Sequence, residues 1–299
     1  MPNPKVTVLM PVYNREKYVR EAVESVLNQT FENFEFLIID DGSEDQTDNI
    51  LRSFSDARIR LISHSQNKGI AQRMNEGLAL ARGECLAIMN SDDIAFPERI
   101  EKQVAYLDQN PDIGAVASTA ILIDAEGRTL SRVWEAEKNS ISYKEITKTM
   151  KRVCCICNPT TMVRTKILKR YRFNEKLPNF GEDYEMWLHF CSDKNLIYKF
   201  SEPLLKYREH SKSERSLHKR GCIKRAQQLR IKTKTLFLLR RLGKFGWNNY
   251  ATAIFLELQK DVFVWIKYCL QDAFSRIAGS FQFSKTDEKS PRKKRLKKL

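Results

Sequence analysis

The chain has 299 residues, 42% of them hydrophobic and 30% charged. That is enough to bury a core in one large domain or two, and too apolar for a chain disordered throughout. Eleven glycines and nine prolines exclude collagen-like and low-complexity classes. The net charge of +15 is unevenly placed: residues 1–130 carry 13 basic and 21 acidic side chains, net −8, and the remaining 39 basic and 16 acidic give +23. An acidic front suits a metal or polar site, and a basic rear suits an anionic partner.

In chain order, residues 6–10 read as a β-rich run ending at Pro11, and residues 17–27 place Tyr18, Ala22, Val23, Val26 and Leu27 at helical spacing. Residues 34–39 form a second apolar strand ending in Asp40-Asp41-Gly42-Ser43, with a helix over 45–54. A strand over 59–62 and a helix over 71–81 follow. Residues 85–89 make a fourth strand ending in Asn90-Ser91-Asp92-Asp93, and a helix over 97–107 opens on proline. Strands alternating with helices imply an α/β architecture, a mostly parallel sheet with helices on both faces. Ligands of such sheets bind outside the carboxyl ends of the strands, where Asp40, Asp41, Asn67, Asp92 and Asp93 gather.

Residues 113–118 and 121–124 read as strands, and 129–134 as the return of a hairpin after the turn at Glu126-Gly127. Seven cysteines, at 85, 154, 155, 157, 191, 222 and 269, follow no leader-like segment, which reads as free thiols in a reducing, cytoplasmic compartment. The group Cys154, Cys155 and Cys157 lacks a second pair at zinc spacing. No run of about 18 apolar residues predicts a membrane span.

The first strand ends in Pro11-Val12-Tyr13-Asn14 with no glycine, so neither a dinucleotide fingerprint nor a P-loop is present. A divalent cation on carboxylates is the other way to hold a diphosphate. Mg²⁺ or Mn²⁺ on Asp92-Asp93 fits that chemistry, with Tyr13 offering a flat face to a base.

Five ordered motifs carry a resemblance. Pro11-Val12-Tyr13-Asn14, Asp40-Asp41-Gly42-Ser43, Asn67-Lys68-Gly69 with Asn75-Glu76-Gly77, Asn90-Ser91-Asp92-Asp93 and Gly181-Glu182-Asp183-Tyr184 resemble those of family 2 glycosyltransferases. That family comprises inverting enzymes of the GT-A fold that use nucleotide-diphosphate sugars. The resemblance spans roughly residues 4–210. It implies that Pro11 and Tyr13 line the base pocket, that Asp41 accepts a hydrogen bond from the base, that Asp40 supports that loop and that Asn67 lies near the donor. It implies further that Asp92 and Asp93 face the ribose and the metal-bound diphosphate. Asn90 stands where the family usually has Asp. Residues 157–163 resemble the family's acceptor-side strand. Asp183, with Glu182 as the next candidate, corresponds to the base that deprotonates the acceptor. Tyr207-Arg208-Glu209-His210 resembles a segment whose histidine approaches the metal or the leaving diphosphate.

The rear third differs in character. Residues 215–241 are helix-compatible and dense in Lys and Arg. Residues 247–274 mix aromatic and charged side chains as an amphipathic helix does, and 284–299 form a basic tail. The expected division is a GT-A domain over 1–211, a helical extension over 212–283 and a disordered tail over 284–299. The extension would touch the cytoplasmic face of a membrane, where a lipid-linked or saccharide acceptor is presented in cell-surface polysaccharide or glycolipid synthesis. Two other classes stay open, a sugar nucleotidyltransferase and a nucleic-acid-binding protein using the basic rear. No nucleic-acid-binding signature appears, so no nucleic acid partner is expected.

Overall fold

The structure is a computed structural model that describes residues 3–133, 142–176 and 181–210, together with residues 229, 231–233, 254–256, 258, 259, 262 and 266. The expected segments 212–283 and 284–299 therefore lie, apart from those few residues, outside the described residues.

The elements run β1 (Val6–Val12), α1 (Val19–Leu27), β2 (Phe34–Asp40), α2 (Thr47–Arg52), β3 (Ile59–Ser63), α3 (Ile70–Leu80), β4 (Cys85–Ile88), β5 (Ile94–Ala95) and α4 (Arg99–Gln109). Then come β6 (Ile113–Ile123), β7 (Thr129–Val133), α5 (Tyr143–Met150), a 3₁₀ turn (Asn158–Thr160), β8 (Met162–Arg164), α6 (Thr165–Leu168), α7 (Glu182–Ser192) and β9 (Leu196–Arg208). The sheet order is β3-β2-β1-β4-β8-β6-β9-β5, with β7 paired to β6. The first four strands are mutually parallel. Beyond β4 the sheet is mixed: β8 is antiparallel to β4 and β6, β9 is parallel to β6, and β5 is antiparallel to β9.

Strands β1 and β2 are apolar nearly throughout because both faces of the sheet are covered. Leu9, Leu37 and Ile39 point into one core with Ala71, Met74 and Leu78 of α3. Val8, Met10, Phe36 and Ile38 point into the other, with Val23 and Val26 of α1 and Val104 and Leu107 of α4. Successive residues alternate between the two cores, as strand geometry requires.

A polar pin crosses this apolar sheet. The buried Thr7 hydroxyl donates to Glu35 on the neighbouring strand at 2.6 Å and accepts from Gly83 N at 2.8 Å, while Arg82 N donates to the same carboxylate at 2.8 Å. The connection from α3 to β4 is thereby held against β1.

The middle of the chain departs from the expected elements. Residues 113–123 form one long strand, β6, where two were expected. The expected gap at Thr119 and Ala120 is absorbed into the strand through register shifts against β9. Strand β9 runs for 13 residues, and its polar Lys199 is buried with its Nζ on Cys155 O at 3.3 Å. Helix α5 was not anticipated, although Ser142 and Glu145 form a reciprocal capping box at its start. Cys154 and Cys155 direct their thiols to the carbonyls of Ile156 and Ile146.

The chain beyond residue 210 touches this body at Ile231 and Ile254, both in the core beside α7. Gly181 has a φ of +88°, and a Cβ there would lie 2.6 Å from Ile231 Cδ1, so both backbone and packing call for glycine before α7. Among the described residues no helix is long and apolar enough to cross a membrane.

A Cβ on Gly83 would stand 2.3 Å from Thr7 N and 2.5 Å from Val6 C. Those backbone atoms belong to the central strand and cannot step aside. Gly83→Ala is expected to cost about 1–3 kcal/mol, the usual range for overpacking, read as a lower melting temperature by calorimetry.

Candidate active site

Four groups of side chains stand where β1, β2, β4 and β9 end. At β2, Asp40 is buried and accepts from the Ser43 hydroxyl and, at 3.3 Å, from Ser43 N. Burial lifts its pKa, against the pull of those two donors. Ser43 in turn accepts from Asn14 N at 2.9 Å, and Asn14 Oδ1 accepts from Glu44 N at 2.9 Å. Asn14 adopts a φ of +51°, a left-handed conformation that asparagine tolerates. Asp40 supports its loop, and the loops after β1 and β2 are one unit. Pro11 pairs with Ile39 in the sheet just before them, and Tyr13 is half-buried at their edge.

Asp41 is also buried. Lys68 N and Gly69 N donate to it at 2.9 and 2.8 Å, and Arg73 Nε at 2.5 Å. Three of a carboxylate's roughly four acceptor positions are thus filled from within, and its first effect is to pin the turn at Asn67-Lys68-Gly69. Asn67 itself is exposed. Arg73, only 3% exposed, continues to Glu76 at 2.9 Å, and Glu76 to His64 Nε2 at 3.0 Å. Arg73 was not singled out in the sequence, because an arginine on an amphipathic helix reads as a solvated residue.

At β4 the two adjacent aspartates part ways. Asp93 is fully buried, accepting from Arg208 N at 2.8 Å and from Asn90 Nδ2 at 2.9 Å. Burial, with the charge of Asp92 beside it, raises its pKa well above the carboxylate range. Asp93, expected to face the diphosphate and a metal, is turned inward in this structure and joins the ends of β4 and β9.

Asp92 retains 13% side-chain exposure. Its Oδ2 meets His210 Nε2 at 3.0 Å and Arg15 Nε at 3.1 Å. Burial pushes its pKa up, but the His210 hydrogen bond and the Arg15 charge outweigh that and hold it below the usual value. Asp92 Oδ1 has no hydrogen bond to the described residues. His210 is fixed by the ring of Tyr18, 4.8 Å away between centroids, and Arg208 lies over the same ring at 5.0 Å. The Arg208 side chain also reaches Asp92 O at 2.8 Å and Glu21. Arg15, Tyr18 and Arg208 went unrecognised as site residues; the one sequence signal for Arg15 was a cation directly after Pro11-Val12-Tyr13-Asn14.

The donor set around Asp92 fits a divalent cation. One ionised carboxylate with an open oxygen and one imidazole suit Mn²⁺. Two side-chain ligands are as many as such ions take when diphosphate and water complete the shell. Asp92 and His210 are the residues that would hold it. No group of three or more His, Cys, Asp or Glu side chains arranged for a metal occurs among the described residues.

Asp183 lies apart from these networks, at the first turn of α7. It is half-buried, and its Oδ1 accepts from Tyr184 N at 2.6 Å. Burial raises its pKa, against that backbone donor. Glu182, beside it, is buried at 6% exposure. Tyr184 fastens the helix to α5 through its hydroxyl on Met150 O at 2.9 Å, and Trp187 to the 3₁₀ turn through Asn158 Oδ1 at 3.2 Å. The candidate base therefore stands on a rigid element.

Comparison with known proteins identifies the family. The family model described as glycosyl transferase family 2 matches residues 7–172. An uncharacterized glycosyltransferase, MJ1057, of Methanocaldococcus jannaschii is 36% identical over 212 residues, covering 70% of this chain and 72% of that protein. One of Haemophilus influenzae is 32% identical over 243 residues, covering 79% and 75%. Among solved structures, S. aureus TarS 1–349 in complex with UDP-GlcNAc superposes with a TM-score of 0.63 at 22% identity. It is matched over 78% of this chain and 66% of its own length, just under two thirds. The mannosyltransferase PcManGT from Pyrobaculum calidifontis, in complex with GDP-Man and Mn²⁺, gives 0.57 at 16% identity, with 95% and 80% covered. At these identities the two structures establish the GT-A fold alone. The chain belongs to glycosyl transferase family 2 and is a glycosyltransferase.

The different settings of Asp92 and Asp93 separate their variants. Asp93→Ala leaves the buried Arg208 N without its acceptor, a loss of about 1–3 kcal/mol that should appear as a lower melting temperature. Asp92→Asn should leave the melting temperature nearly unchanged while removing Mn²⁺ binding in titration calorimetry with UDP or GDP present.

Proposed function

We propose that this family 2 glycosyltransferase moves a sugar from a nucleoside-diphosphate sugar to an acceptor hydroxyl with inversion, dependent on Mg²⁺ or Mn²⁺. The observation that carries the reading is Asp92: an ionised carboxylate with one open oxygen at a strand end, backed by His210 and Arg15. The complexes of the structural neighbours with UDP-GlcNAc and with GDP-Man and Mn²⁺ support a nucleotide-sugar donor and a cation here. When bound, the cation would offset charge growing on the leaving diphosphate.

The chain's own residues divide the remaining tasks. The joined loops after β1 and β2, with Pro11, Tyr13, Asp40 and Asp41, and the turn at Asn67 shape the nucleoside pocket. Asp183 is the base. The acceptor oxygen attacks the anomeric carbon as the bond to the diphosphate breaks, and the hydroxyl proton passes to the Asp183 carboxylate. Its raised pKa brings it closer to neutral pH, where a carboxylate is a more effective base. A single displacement inverts the anomeric centre.

Cell-surface polysaccharide or glycolipid synthesis is the role we assign, with a saccharide or lipid-linked acceptor met at the cytoplasmic face of a membrane. Helical Phe255, Leu256, Val262 and Ile266 are 40–52% exposed while Ile254 is buried in the core. Within a chain segment of net +23, an apolar face directed outward suits peripheral contact with an anionic bilayer. The expected boundaries, a catalytic domain to residue 211, a helical extension to 283 and a basic tail, belong to the same reading.

Incubation with a panel of UDP- and GDP-sugars and Mn²⁺ should give slow donor hydrolysis without acceptor; hydrolysis of none of them would remove the donor reading. With a donor in hand, Asp183→Asn should lower kcat by about 10²–10⁴-fold and leave donor KM nearly unchanged. Wild-type kcat should rise as pH increases through the raised Asp183 pKa, because only the ionised form accepts the proton, and this limb should be missing in Asp183→Asn.

The membrane reading has its own measurement. The full chain should co-sediment with anionic vesicles and only weakly with neutral ones. Residues 285–299 hold eight basic side chains against two acidic, and each basic group near an anionic surface adds about 1 kcal/mol. Removing residues 284–299 should therefore weaken binding mainly at low salt, where screening is least.

A further inference from the structure

Arg15 sits against Asp92 in a way the proposed reaction leaves unexplained. Its Nε donates to Asp92 Oδ2 at 3.1 Å, the oxygen that His210 Nε2 meets at 3.0 Å. Its Nη1 donates to the carbonyls of Tyr13 and Asn14, both at 3.0 Å, and its backbone N to the buried Thr47 hydroxyl at 2.7 Å. The guanidinium is anchored to the loop after β1 rather than to a mobile surface. It is nonetheless 21% exposed, and its Nη2 makes no hydrogen bond to the described residues. One edge of the group is therefore spent on Asp92 and the loop, and another edge is open to an anion.

Local charge gives this contact its consequence. Asp93 is turned inward onto Arg208 N and Asn90 Nδ2, so Asp92 is the carboxylate of the pair that keeps an exposed edge. Arg208 is balanced by Glu21. Arg15 balances Asp92 before any metal arrives. A divalent cation alone would enter a neutralised site and compete with a guanidinium for the same carboxylate. A cation that comes with a diphosphate meets a different balance, because the phosphate oxygens attract the guanidinium as strongly as the carboxylate does.

We propose that Arg15 is a built-in counter-cation of Asp92 that competes with the divalent cation, so that metal alone binds weakly and metal and nucleoside diphosphate bind synergistically. This rests on the assignment of Asp92 as a metal ligand. Arg15 is a positioning residue in this account: it sets the order in which the site fills and leaves the chemical step to others. Coupling of this kind is reciprocal, so metal must raise nucleotide affinity by the factor by which nucleotide raises metal affinity.

The test is Mn²⁺ binding to the full chain by titration calorimetry and electron paramagnetic resonance, without nucleotide and with UDP or, in a separate arm, GDP. Wild type should bind Mn²⁺ alone weakly and gain about tenfold or more, a typical coupling, with at least one nucleotide. Arg15→Gln should bind Mn²⁺ alone about tenfold tighter and lose most of the gain, in both directions of the cycle. Arg15→Lys keeps the positive charge and should stay near wild type in Mn²⁺ binding. The bond from Arg15 N to Thr47 survives both substitutions, and a melting curve verifies the fold. If Arg15→Gln binds Mn²⁺ alone no tighter than wild type while wild type does bind it with nucleotide, the counter-cation role is wrong and the metal site stands. If wild type binds no Mn²⁺ with either nucleotide, the metal assignment fails and the inference falls with it.

Discussion

The bond from Arg208 N to the buried Asp93 carboxylate is the constraint on which the rest of the site depends. It ties the end of β9 to the turn after β4, two segments 115 residues apart in the chain. Once they are tied, His210 lies against Asp92 and Arg208 stands over Tyr18 of the loop leading into α1. The Arg208 side chain extends the same tie to Asp92 O and Glu21. A buried carboxylate is costly unless its hydrogen bonds are met, so Asp93 holds these elements in one arrangement only. Its neighbour Asp92 keeps an exposed edge, with Oδ2 held by Arg15 and His210.

A second buried contact organises the other side of the cleft. Asp41 and Arg73 are each about 3–4% exposed in their side chains. Such a pair contributes little net stability once desolvation is counted. Its effect here is geometric: with Lys68 N and Gly69 N on the same carboxylate, the turn after β3 is held against the end of β2. The pocket edge is built from two strand ends and the first turns of α3, all on rigid elements.

The charge of the front half illustrates how composition and local field part. Its net −8 suggests an electronegative cleft eager for cations. Arg15, Arg73 and Arg99 nevertheless turn inward around the strand ends. Arg99 is 2% exposed and donates to Ile88 O at 2.8 Å, and burial lowers its pKa to about 10. The acid that the composition counts is largely neutralised where it would matter for a metal.

The sequence by itself determined the α/β alternation, the positions of the first four strands and their helices, and the family through five ordered motifs. These are local properties: apolar runs, helical spacing and turn residues act within about ten positions. It also marked Asp40, Asp41, Asp92, Asp183 and His210 as chemistry-bearing. Only the tertiary structure decided that Asp93 is fully buried while Asp92, identical and adjacent, keeps an exposed edge, because burial is set by which strand packs beside them. It likewise decided that Arg15, Arg73 and Arg208 belong to the site, since their partners stand 32 to 187 residues away and no spacing rule reaches that far. The two long strands β6 and β9 escaped for the same reason. Their serines, Lys199 and Pro203 interrupt the local pattern, and only pairing with each other through shifted register keeps them extended.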